Sequence, residues 1–98
     1  MEERKFRIKE NSFFARMAAM KLGVDQVALT LGDTIHLHNT SVERFSSDRK
    51  WVKHELRHVE QFREHGFFRF IVLYFFESLR KGYYHNRFEQ EARDAELD

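Results

Sequence analysis

The sequence predicts a small, mostly helical α+β domain carrying one β-hairpin, on three observations. Two long segments, 51–62 and 67–81, place apolar residues at helical spacing and are closed by Gly66 and Gly82. Two short β-rich stretches, Gln26 to Leu31 and Thr34 to Asn39, flank Gly32-Asp33, a two-residue hairpin signal. With 98 residues, 42% hydrophobic and 15% aromatic, the chain can bury one modest core but is short for two lobes about a cleft. A single domain over 1–98 is therefore expected.

In chain order, Asn11-Ser12 can cap a helix from Phe13 to Leu22, where Phe14, Met17, Ala18 and Leu22 recur at helical spacing and Gly23 is the stop. In the second hairpin strand Ile35 and Leu37 share one face, and Thr34, His36 and His38 the other. That alternation reads as a solvent-facing polar edge, so His36 and His38 are left out of any site. Thr40 to Asp48 reads as polar loop, with Ser47 or Asp48 as N-cap of the helix that Gly66 ends. Phe67 to Lys81 is hydrophobic over most of its circumference, which predicts a largely buried helix. The last helix begins at Asn86 and turns Phe88, Ala92 and Ala95 inward.

Composition narrows the function classes. A charged fraction of 34% with net charge +1 gives no large field of one sign, so nucleic acid is not expected as a partner. Without cysteine there is neither a disulfide framework nor a thiolate zinc site, and any metal must be held by His and carboxylate. Met1-Glu2-Glu3-Arg4-Lys5 opens on acidic residues with no apolar stretch behind it, so no secretory signal is expected. The most apolar run, Phe67 to Phe76, is interrupted by Arg69 and falls far short of the roughly 20 residues of a membrane span. A cytoplasmic protein with no membrane span is the expectation.

The chemistry is concentrated in His54-Glu55-Leu56-Arg57-His58. On a helix, His54 and His58 lie one above the other, about 5–6 Å apart at Cβ, and can converge on one ion. Two imidazoles leave room around zinc for a third protein ligand and a water, and the carboxylate of Glu55 is placed to take that water's proton. Helical geometry adds a second argument. Trp51, Val52, Leu56, Val59 and Phe62 form an apolar arc opposite Lys53, Arg57, Glu60 and Glu64, and Glu55 falls inside the apolar arc. A carboxylate buried there needs a nearby cation or a proton. For the third ligand the last helix offers Glu89 and Glu91. Glu89 adjoins the Phe88/Ala92 face and is the choice, although Asn86 followed by Glu89 could instead be a capping box.

Three stretches, His54 to Gln61, Gly82 to Ala92 and Thr30 to Leu37, together resemble the small zincin-like domains of the gluzincin type, including bacterial DUF4157-like proteins. The resemblance implies a minimal zincin-like fold in which HExxH is followed by ExxA. It implies Glu89 as third zinc ligand, with Ala92 three residues on, and Glu55 as general base. Two positions depart from the pattern. Arg93, followed by Asp94, stands where such proteins often have an acid that orients a metal-bound His, and Arg87 stands where relatives often have proline.

The function expected is that of a zinc metallopeptidase-like domain. One Zn²⁺ per chain is held by His54, His58 and Glu89, and water activated by the metal and Glu55 hydrolyses a peptide bond. The partner is then a peptide or protein, with the strand Thr34 to Asn39 as the edge that pairs with it. Tyr83, Tyr84 and His85 are the candidates for the donor to the developing oxyanion. The alternative is a zinc-binding, non-catalytic zincin fold that serves as a protein interaction module.

Overall fold

Gly32, at φ +66, takes the left-handed turn that a residue without Cβ enters freely, and the two strands beside it pair antiparallel with Thr30 opposite Ile35. In the computed structural model, which describes residues 6–98, the order is β1 (Arg7–Lys9), α1 (Phe13–Leu22), β2 (Val27–Leu31), β3 (Thr34–His38), α2 (Val42–Ser47), α3 (Arg49–His65), α4 (Phe67–His85) and α5 (Arg87–Ala95). The expected α+β class, mostly helical with a small sheet, is the observed one. Strand β1 was not expected, because three residues carry no readable alternation. It pairs parallel to β3, Ile8 opposite Ile35.

The sheet order β1-β3-β2 corrects one expectation directly. The strand over Thr34 to Asn39 was to be the open edge, but β3 is central with both sides paired, and the open edge on this side is β2. The polar reading of His36 is corrected as well. Helix α1 lies on the sheet face that carries His36, packing Ala15 and Ala19 against Val27. Ser12 there caps α1, accepting from the Ala15 amide at 3.3 Å, and its hydroxyl is hydrogen-bonded to His36 Nδ1 at 2.8 Å. His36 is buried rather than solvent-facing because the sheet is covered on both faces.

On the opposite face Ile35, Leu37, Phe45 and Val59 form the main core, with Trp51, Val52 and Leu56 against it. Most of this was legible as the apolar arc of α3. Phe45 was not, because the expected loop after Asn39 forms α2 instead. Ser41 accepts from the Arg44 amide at 3.1 Å, and the single buried Phe45 anchors a helix too short to show a period. Asp48 caps α3 as expected, accepting from the Trp51 amide at 3.2 Å.

Helix α4 departs from its expectation. Of its residues only Phe70 and Glu77 are buried, whereas Phe68 is 80% exposed. Its apolar circumference meets the rest of the chain along one stripe, where Phe70 joins Phe62 of α3 and Phe88 of α5 at ring separations of 4.6 and 4.9 Å. Gly82, at φ 80 and ψ 167, breaks the helix where the sequence placed its end. Helix α5 then starts at Asn86, whose side chain accepts from the Phe88 amide at 2.8 Å, and it buries Phe88 and Ala92 with Ala95 half-buried.

Ser12 serves two elements at once, so its loss should exceed that of an ordinary cap. Ser12→Ala is expected to lower unfolding free energy by about 1–3 kcal/mol and Ser41→Ala by no more than about 1. Urea unfolding followed by circular dichroism measures both, and a larger effect at Ser41 would contradict the double role of Ser12.

Candidate metal centre

The i,i+4 spacing on α3 brings the His54 and His58 rings to 5.0 Å between centroids. Helix α5 supplies the third group. Ala92 is fully buried, and its small side chain lets α5 approach α3 so closely that Glu89, one turn earlier, reaches both imidazoles. Glu89 Oε1 lies 3.1 Å from His54 Nε2, and Oε2 lies 3.2 Å from His58 Nε2. Each of the three residues offers one ligand atom, all within 4.8 Å of one another, so the group can hold a metal ion. Two imidazole nitrogens and a carboxylate oxygen are a donor set that zinc accepts.

The far nitrogens are held too. His54 Nδ1 is hydrogen-bonded to Glu96 Oε2 at 2.7 Å, and His58 Nδ1 to Gln61 Oε1 at 2.8 Å, which turns both Nε2 atoms toward Glu89. The sequence left the orienting acid in doubt at Arg93 and Asp94. The structure gives that place to Glu96, one turn beyond Ala92. Arg93 faces elsewhere, its guanidinium 4.1 Å over the Tyr84 ring and donating to the Tyr84 carbonyl at 2.6 Å.

Two alternatives for the carboxylates resolve here. The Asn86–Glu89 capping box does not form, because Asn86 caps through the Phe88 amide and Glu89 is engaged by His54, His58 and the Tyr74 hydroxyl, which donates to Oε2 at 2.5 Å. Glu91 stands outside the group. It accepts from Gln61 Nε2 at 2.9 Å and pairs with Arg57 at 3.2 Å, and so steadies the residue that holds His58. Tyr74, Thr30 and Glu96 had no sequence signal for this role, since each acts through tertiary contact. Gln61, three residues after His58, is the one that helical spacing could have flagged.

Glu55 is 5% exposed and accepts from the Thr30 hydroxyl at 2.7 Å. Burial raises its pKa, and His58, the Thr30 hydrogen bond and His54 oppose that rise. These are the partners that a carboxylate on the apolar arc required. Glu55, Glu89 and both histidines open into a pocket of about 420 Å³ whose other walls are largely apolar, from β2, α1 and α4, with Tyr83 at its border.

The charges are arranged around Glu89. Burial alone would raise its pKa, but hydrogen bonds from His54, His58 and Tyr74 hold it well below the carboxylate range. Burial likewise disfavours the charged form of His54, yet Glu89, Glu55 and Glu96 together raise it to about 9, and His58 is raised by Glu89 and Glu55 in the same way. A histidine with a raised pKa stabilises the fold fully below its ordinary value of 6.5, and that contribution is lost as pH rises through about 9. Chelator-treated protein should therefore melt at progressively lower temperature from about pH 7 to 9. Zinc-loaded protein should show a flatter profile, and parallel profiles with and without zinc would contradict the arrangement.

No curated protein and no solved structure matches the chain. The profile of the family described as the eCIS core domain matches residues 4–66. That span contains all three strands, the helices through α3 and the whole of His54 to His58, and it ends before α4 and α5, so Glu89 and Glu96 lie beyond it. Over well more than half of its length, and in keeping with the DUF4157-like resemblance of its motifs, the chain belongs to the eCIS core domain family.

Proposed function

We propose that the protein is a zinc-dependent hydrolase of peptide bonds, with His54, His58 and Glu89 holding one Zn²⁺ and Glu55 as general base. The observation that carries this reading is the convergence of two Nε2 atoms and the Glu89 carboxylate beside a second carboxylate, Glu55, that is not itself in the group. A site for structure alone would use four protein ligands and no base. Zinc, when bound there, supplies a Lewis acid that acidifies water and polarises a carbonyl.

The chain's own residues do the rest. Glu96 and Gln61 fix the imidazoles, and Tyr74 fixes Glu89. Glu55 takes the proton from the attacking water and passes it to the leaving amine, a task helped by the raised pKa that burial gives it. Among the three candidates for oxyanion donor, Tyr83 is favoured, since it borders the pocket and its hydroxyl, pushed up to about 12 by burial and by Glu89 and Glu55, stays protonated at neutral pH. Tyr84 is committed to Arg93. The open edge of β2 lines the same pocket and offers an extended peptide its backbone groups.

A second reading rests on the Thr30–Glu55 hydrogen bond, which would hold Glu55 as a structural group in a zinc-binding, non-catalytic interaction module. Metal analysis tests the zinc site that both readings share, and Glu55→Gln separates them. Purified protein supplied with zinc should bind about one ion per chain; His58→Ala and Glu89→Gln should lose it, and Glu91→Gln should keep it. Glu55→Gln should retain zinc and lose about 10²-fold or more of peptidase activity on unstructured protein, at equal or higher melting temperature. A zinc-replete, inactive wild type whose Glu55→Gln variant is destabilised would transfer the protein to the second reading.

A further inference from the structure

Outside the site, the outer surface of α4 has no structural account. Phe70 and Glu77 turn inward, while Phe68, Val72, Phe75, Phe76 and Leu79, on the opposite arc, are 51% to 80% exposed. At about 150–250 Å² for a whole aromatic residue these five expose on the order of 500 Å² of apolar surface, near the upper end for a soluble monomer. Helix α1 repeats the pattern, with Phe13, Met17 and Met20 at 53% to 72% exposure. The two helices bound one pocket, α1 through Ala18 and Leu22 and α4 through Ile71 and Phe75.

The charge on these helices is one-sided. Helix α1 carries Arg16 and Lys21 and no acid, while α4 carries Arg69, Arg80, Lys81 and a single carboxylate, Glu77, which is buried and takes Arg80 and Lys81 at 3.9 and 3.5 Å. Five cations thus face one inward acid in a chain whose net charge is only +1. At about 100° per residue, Arg69 and Arg80 fall on the margin of the apolar arc, next to Phe76. An aromatic and aliphatic arc edged by cations, with no exposed acid, is the composition of a helix that lies in the plane of an anionic membrane surface.

We propose that the face formed by α4, with α1 across the pocket, docks on an anionic lipid bilayer. The arc from Phe68 to Leu79 enters the boundary of the acyl chains, and Arg69, with Arg16 and Lys21, meets the headgroups. Among the described residues no helix is long and apolar enough to cross a membrane, so α4 lies on the surface rather than spanning it. A second copy of the chain fits less well, because an isologous contact would press like-charged margins together and neither helix has an exposed acid to receive them. A protein partner would have to match this arc in shape and set acids at its margins, whereas an anionic bilayer offers apolar depth and negative charge all around it.

The test uses the full chain and vesicles of phosphatidylcholine, with and without about one quarter phosphatidylglycerol, in a sedimentation assay at low and high salt. Binding should favour the anionic vesicles by about ten-fold or more and weaken with salt. The double variant Phe68→Ser/Phe76→Ser should lose about ten-fold of that binding, and Arg69→Glu several-fold, with circular dichroism and zinc content unchanged because all three residues are exposed and none lines the pocket. Equal binding to both vesicle types, or undiminished binding by the folded variants, would overturn the proposal. So would a dimer seen by light scattering that the double variant abolishes while vesicles capture nothing, since that result gives the face to a second copy.

Discussion

Glu89 reaches His54 and His58 because Ala92, fully buried, lets α5 sit directly on α3. A larger side chain at that position would part the helices, and a shift of 1 Å would separate a carboxylate from two nitrogens that it now meets at 3.1 and 3.2 Å. Burial of that carboxylate is unfavourable by itself. Two imidazoles and the Tyr74 hydroxyl offset it, so the elements that fix Tyr74 are bound into the same network. Asn86 is one of them: it caps α5 and also donates to the Tyr74 carbonyl at 3.1 Å and to Ser78 at 2.9 Å, tying α5 to α4 just before Glu89.

Much of this was legible in the sequence where the signal is local. The i,i+4 histidines, the inward Glu55, the glycines that close α3 and break α4, and the Phe88/Ala92 stripe follow from helical spacing and capping alone. Helical spacing also set Glu89 beside that stripe and Glu91 more nearly outward, and it is Glu89 that lies with the two histidines while Glu91 pairs with Arg57. What was not legible depends on how elements meet. Alternation correctly grouped His36 with His38 but could not say that α1 covers that face, and β1, three residues long, could not announce that it takes the other side of β3. Glu96 replaces the acid expected near Arg93 only through the path of the last helical turn.

Helix α4 shows the limit of hydrophobicity as a sign of burial. Its sequence is apolar on nearly all sides, yet α3 and α5 offer it one stripe of contact at Phe70, and the rest of its circumference remains on the surface. The excess has a place in the architecture, because α4 also forms a wall of the pocket into which Glu55 and Glu89 open. The pocket therefore joins two surfaces of different chemistry: a charged cluster of His and Glu on α3 and α5, and an apolar wall that continues outward along α4. Strand β2, at the edge of the sheet, lines the same pocket.

The central claim concerns the position of an ion, and anomalous diffraction at the zinc edge from crystals grown with zinc tests it most directly. The account predicts one peak about 2.0–2.2 Å from His54 Nε2, His58 Nε2 and a Glu89 oxygen, with Glu55 near but not bound. A zinc-supplied crystal with no peak between α3 and α5, or with Glu89 turned away from the ion, would contradict it.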